Sequence, residues 1–234
     1  MRATPRYLVW GMVGIAAQVL FTTGWVVSEV WQGPRYSPIA DSISDMQAQT
    51  APHVWFPIGC FALAGIGSFA FTVFGLRPAI AGAGRAGTLG LWVLALSTLA
   101  IGNSFPLIPC RVSDPGCTAA FQLNSPGGLT DAVVAGLAFL VLVIAPFPLW
   151  RGLAALPAWR ELKPVLMAAR VLGPSCYVLL AISSSLQSMP AFGLIERALA
   201  SVCVLWVLAL AVHLVRLSRT ETSRPLARDL AIRG

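Results

Sequence analysis

The stretch that decides the fold is YLVWGMVGIAAQVLFTTGWVVSEV (residues 7–30), followed at once by WQGPRYSPIADSIS (31–44). A membrane-crossing helix needs about 20 consecutive apolar residues. The first segment supplies them, with Gln18 and Glu29 as its strongly polar members. Helices of a soluble core run roughly 8–20 residues and keep a polar face, whereas this run is longer and apolar nearly all round. It reads as a transmembrane span. The second segment gathers charge, Pro and Gly into a short loop, as a connection at a membrane surface does.

The rest of the chain repeats the pattern. Of 234 residues, 57% are hydrophobic and 11% charged, with mean hydropathy +0.77; soluble domains carry about 25% charged residues. Five further apolar windows follow at Val54–Leu76, Thr88–Ile108, Asp131–Trp150, Val165–Leu186 and Leu194–Val215. Turn-rich connections separate them. A backbone in hydrocarbon must satisfy its own hydrogen bonds, and the windows lack the alternation of barrel strands. The expected fold class is therefore all-α: a polytopic membrane protein with six transmembrane helices. Residues 1–215 are expected to form one six-helix domain and 216–234 a basic tail. The basic N-terminus before the first run superficially resembles a signal peptide, but the run is too long and lacks a small-residue cleavage motif. A retained span is expected.

Basic residues set the expected orientation. With the N-terminus inside, thirteen of the 16 Lys and Arg fall on the inner side, leaving Arg35, Arg111 and Arg197 outside. Six acids (Glu29, Asp41, Asp45, Asp114, Asp131 and Glu196) fall outside with them. The inner side then carries +10 and the outer −3, which accounts for the formal net charge of +7. This bias follows the positive-inside rule, places both termini in the cytoplasm, and points to the cytoplasmic (inner) membrane. Topology and anionic lipid explain the basic charge, so membrane lipids are the expected partners and nucleic acid is not.

Cys110 and Cys117 share the third-to-fourth connection, beside Pro109, Pro115 and Gly116. On an oxidising face they can pair, contributing about 2–3 kcal/mol by loop closure; two free thiols are the alternative. Cys60, Cys176 and Cys203 lie within spans and suit apolar packing. His53 and His213 fall at opposite membrane faces, so they cannot jointly hold a haem or metal. No HExxH, CxxC, Walker A or GxGxxG motif stands where it would carry chemistry, and no metal or cofactor is expected.

The polar residues inside spans are the informative ones. Gln18, Thr22, Trp25 and Glu29 share one helical face, which should meet other helices or a wet cavity rather than lipid. At the outer ends of other spans stand Asn103, Asp131 and the pair Glu196-Arg197. An acid suits a helix N-terminus and an arginine does not. Arg197 therefore calls for an anionic partner (Glu29, Asp131 or Asp41) or for snorkelling to headgroups. Arg35, Tyr36, Ser37, Asp41 and Ser44 of the first loop are placed to cap such a cluster. The small residues Gly11, Gly14, Ala64, Ser68 and Thr72 fit tight helix packing. Pro146 and Pro148 should kink or end the fourth span, and Pro174 can kink the fifth.

Gly33-Pro-Arg-Tyr-Ser-Pro38 with Asp41-Ser-Ile-Ser44, Gly84-Arg85, Phe105-Pro106 and Gly193-Leu-Ile-Glu-Arg197 together resemble the pattern of domain-of-unknown-function family 998. The resemblance implies a small prokaryotic membrane protein with about six spans over nearly the whole chain. It implies no activity. Many members carry a histidine where the fourth span begins, and this chain has Asp131 there.

Three functional readings stand. In the first, the protein binds, or transports, a lipid or amphipathic molecule in an outward-facing polar pocket between helices. Gln18, Trp25, Glu29, Asn103, Asp131, Glu196 and Arg197 would line the pocket and the first loop would cap it. In the second, it is a membrane-embedded enzyme on a lipid or isoprenoid, of isomerase or cyclase type, with Glu29, Asp131 or Glu196 as general acid. In the third, it is a structural subunit of a membrane complex.

Overall fold

The structure, a computed structural model, describes residues 5–102, 105–185 and 191–233, and within them the side chains of residues 6–184 and 191–219. The chain is helical: α1 (Pro5–Glu29), α2 (Trp55–Ala70), a π turn (Phe71–Leu76) leading into α3 (Arg77–Ala79), α4 (Gly84–Ile101), α5 (Ala119–Asn124), α6 (Pro126–Ile144), α7 (Pro146–Ala154), α8 (Lys163–Ser185) and α9 (Phe192–Arg233). No strand occurs among the described residues. Six segments are long and apolar enough to cross a membrane: Arg6–Glu29, Trp55–Ala79, Ala81–Ile101, Pro126–Ala154, Pro157–Ser184 and Phe192–Arg219.

The six spans match the expectation, while several boundaries move; the last helix, for one, runs on past Val215 to Arg233. The third span ends at Ile101 rather than Ile108. Pro106 and Pro109 have no N–H to continue a helix, and the Ile108 carbonyl instead accepts from the Gln49 backbone N–H at 2.9 Å. The fourth begins earlier than Asp131. Ser125 caps it, its Oγ accepting from the Gly128 N–H at 3.0 Å, and Pro126 takes the first helical position, which needs no N–H. Asp131 consequently sits inside α6 rather than at its start. Pro146 breaks the fourth span as expected, separating α6 from α7 at Ala145. Pro174 lies within α8.

The spans form a ring in sequence order. The first packs on α2, α2 on α4, α4 on α6 and α7, these on α8, and α8 on α9, which returns to α1. Small residues set the close approaches. A Cβ on Gly65 would stand 2.8 Å from the Cα of Gly102, and one on Gly102 equally close to Gly65. Here the second and third spans meet backbone to backbone. A Cβ on Gly14 would meet the Phe71 ring and Ala211, and Ala64, Ser68 and Thr72 are buried. The small-residue stripes are therefore used up inside the bundle.

Phe71, Leu94, Leu149, Leu210 and Leu214 are fully buried in one apolar core. It fills the end of the bundle nearer the N-terminus, hereafter the base. At the other end, the loop end, a smaller cluster of Ile43, Met46, Cys60, Phe61 and Ala200 lies under the first loop.

Candidate functional site

Arg197 ties the first loop to the bundle. Its Nε donates to Glu29 Oε1 at 2.7 Å, closing an ion pair between the first and last spans. Its Nη1 donates to the backbone carbonyls of Asp41 (2.9 Å) and Gly193 (3.0 Å), and its Nη2 to the Tyr36 hydroxyl. The guanidinium also stands over the rings of Trp25 and Tyr36 at 5.8 and 5.9 Å. A planar donor fork suits such a divided set of acceptors. Burial raises the Tyr36 phenol above its ordinary value, against the opposing pull of Arg197. Tyr36 thus stays a neutral hydroxyl that accepts from Arg197 and donates to the Ser42 carbonyl.

Gly193 is what lets the loop approach. The N–H groups of Gly193 and Leu194 donate to the Ala40 and Ile39 carbonyls, satisfying donors that a helix start leaves free. A Cβ at Gly193 would run into the Asp41 carbonyl. Asp41 turns inward on its own loop, its Oδ2 accepting from the Ser37 N–H at 2.7 Å.

A second latch joins the first loop to the third-to-fourth connection. Asp45, 2% exposed, accepts from Gln122 Nε2 (2.8 Å) and from the Val112 and Ser42 N–H groups. Burial raises its pKa above the carboxylate range despite these donors. Asp114 accepts from the Thr50 hydroxyl and pairs with Arg111, whose Nη1 reaches the Gln32 carbonyl at 2.8 Å. Partial burial opposes ionisation of Asp114, but Arg111 and Thr50 outweigh it and hold the carboxyl below its usual range. Cys110 and Cys117 form the expected disulfide in this connection.

Beneath the two latches lies a cavity in two chambers. The one nearer the loops, about 520 Å³ including its open mouth, is lined by Ser44, Gln47, Asp131 and Glu196 together with apolar residues of α1, α2, α4 and α6. The deeper one, about 410 Å³ on the same measure, is mainly apolar, with Gln18, Ser68 and Thr98 as its polar members. Phe21, Phe61, Ile101 and Phe139 line both, so the chambers adjoin. In the deeper chamber Gln18 Nε2 donates to Ser68 Oγ at 2.9 Å, and Thr98 returns its hydroxyl to its own helix. In the upper chamber Glu196, 9% exposed, accepts from the Ile43 N–H through Oε2 at 2.6 Å. Its other oxygen, and both of Asp131, have no hydrogen-bond partner among the described residues.

The sequence candidates thus divide between two places. Gln18, Ser44, Asp131 and Glu196 line the cavity. Trp25, Glu29, Tyr36, Asp41 and Arg197 form the clamp beside it, and Ser37 serves it through Asp41. Arg35 is exposed, and Asn103 lies outside the described residues. Neighbours in sequence, Glu196 and Arg197 face different tasks. Sequence reasoning missed Asp45, Gln47, Gln122 and the shared aromatic wall. Only Asp45 carried a signal, as an acid directly after the loop motif.

These features define a multi-pass membrane protein built as a closed ring of six helices with a polar-topped internal cavity. Residues 15–213 match the family described as "Protein of unknown function (DUF998)", and the chain belongs to that family. No curated protein and no solved structure matches it.

Proposed function

We propose that this protein holds an amphipathic small molecule or lipid inside the six-helix ring, loaded from the loop end. By the distribution of basic residues, that end faces outward from the cytoplasmic membrane and both termini lie in the cytoplasm. One observation carries the reading: two adjoining chambers, polar above and apolar below, share an aromatic wall of Phe21, Phe61 and Phe139. Small-molecule sites are concave, mainly apolar and furnished with a few convergent polar groups. The first loop covers the upper chamber through Ile43 and Ser44, and the Arg197 clamp holds that loop in place. Native mass spectrometry of the gently purified protein tests this. One co-purifying amphiphile is expected in the wild type and its loss in Ala135→Phe, which fills the upper chamber. Bulk lipid alone, unchanged by the substitution, would overturn the reading.

A catalytic variant of the same site rests on Asp131 and Glu196, two carboxyl groups facing one aromatic-walled chamber. A positioned acid and aromatic faces suit isomerisation or cyclisation of an isoprenoid. Glu29 is not among the lining residues and is engaged by Arg197. If Asp131→Asn and Glu196→Gln both left turnover of the bound molecule intact, the acid role would fail. The small-residue faces, turned inward, lend the assembly-subunit reading no support.

A further inference from the structure

The two ion-paired arginines at the loop end, Arg197 and Arg111, are engaged elsewhere. The Nε, Nη1 and Nη2 of Arg197 are directed to Glu29, Asp41, Gly193 and Tyr36, and Arg111 is held by Asp114 and Gln32. Among the described residues, those lining the two chambers include no Lys, Arg or His. They include two carboxyl groups, Asp131 on the fourth span and Glu196 on the last, so the acids come from the two spans that flank the fifth and converge on one space. Glu196 is nine-tenths buried and half satisfied, one oxygen bound by the Ile43 N–H and the other without a partner among the described residues. A buried carboxylate lacking donors is costly. Whatever occupies the upper chamber therefore stabilises it most by bringing hydrogen-bond donors and positive charge. An anionic headgroup would instead stand against two carboxyl groups, the neighbouring Arg197 guanidinium being already committed to Glu29.

The lining limits the remainder of the ligand. The deeper chamber is mainly apolar, with Leu142 and Val207 among its walls, and so suits a hydrocarbon portion.

We propose that the cavity takes a cationic amphiphile, its amine-type head between Asp131 and Glu196 and its apolar portion in the pocket of Phe21, Phe61 and Phe139. This rests on the cavity reading above and adds the sign of the head. Conversely, phosphate- and carboxylate-headed lipids are rejected.

Three probes of equal chain length separate the cases: dodecylamine, dodecanol and laurate, added to the full-length protein in nanodiscs of neutral lipid. Saturable, one-to-one binding of dodecylamine at neutral pH is expected, at least tenfold tighter than dodecanol, with no saturable binding of laurate. Asp131→Asn and Glu196→Gln keep the side-chain shape, and glutamine retains an oxygen for the Ile43 N–H. Each should weaken dodecylamine at least tenfold while leaving dodecanol within about twofold. Asp131, only partly buried, supplies a variant that does not disturb the loop. Laurate binding as tightly as the amine, or amine binding unaffected by both substitutions, would overturn the proposal while leaving the cavity reading intact. Failure of all three probes to bind saturably would overturn both.

Discussion

At the scale of single residues, Arg197 and Glu196 show how adjacent side chains take different work when a helix start is wedged between a loop and a cavity. Arg197 has three elements to hold and no substitute for its fork. Arg197→Ala strands Glu29 and frees the loop, and losing one partner of a buried pair costs about 3–5 kcal/mol. Glu29 keeps 23% of its side chain exposed, so the lower end of that range is expected, read as a fall in thermal midpoint in detergent. Arg197→Lys should recover less than half of the loss, since an ammonium cannot reach Glu29, Tyr36 and two carbonyls together. Full recovery by lysine would show that charge alone matters.

Asp45 and Asp114 make opposite pH contributions. Asp45 has a folded pKa above its unfolded value, so the folded state holds that proton more tightly. Its contribution is present below the ordinary carboxylate range and is lost as pH rises through the folded value. Asp114 has a lowered pKa, so its contribution is present above that range and is lost as pH falls through the folded value. Asp45→Asn, which keeps an acceptor for Gln122 and Val112, should remove the loss of loop protection on raising pH above about 4. Hydrogen exchange in residues 42–48 reads this. An unchanged pH profile in the variant would assign the effect to another group.

At the scale of elements, the loop end is a laminate. The first loop lies on the start of α9 through Gly193, and the disulfide-bearing connection lies on the first loop through Asp45 and Gln49. Gly193→Ala should lift the first layer, so that protease cuts at Arg35 faster while the helical content by circular dichroism stays unchanged. Cys110→Ser should loosen the second layer alone, exposing Arg111 to cleavage and sparing Arg35. Equal exposure of both sites in both variants would mean that the layers open as one.

Much of this level was readable from the chain. An arginine opening a span demanded a partner, and an acid on the polar face of the first span was among the candidates named. Choosing Glu29 over Asp131 or Asp41 needed the packing, because all three share the same end of the bundle. The third span was drawn too long because Leu107 and Ile108 are as apolar as the helix before them; only hydrogen bonding across to Gln49 shows that they are loop. The π turn at Phe71–Leu76 left no mark in hydropathy.

At the scale of the whole molecule, orientation is a prediction from charge. Cysteine placed at Arg35 should react with an impermeant maleimide from outside intact cells, and one at Glu161 only after permeabilisation. The reverse pattern would turn the cavity mouth to the cytoplasm. Six spans and their order were legible from hydropathy and charge. The cavity was not, since its walls come from five spans and from aromatic residues that hydropathy alone assigns equally well to lipid contact.

The return of α9 to α1 has a consequence for how the protein comes into being. A chain threaded into the membrane from its N-terminus lays down five spans as an open crescent, exposing to lipid the faces that later enclose the chambers. Both the Glu29 partner and the wall bearing Glu196, Ala200 and Cys203 arrive with the final span. The cavity is therefore incomplete in every nascent chain and closes in one step when synthesis delivers the last helix. A chain that stops short of Phe192 is left with an unlatched loop and an unclosed flank.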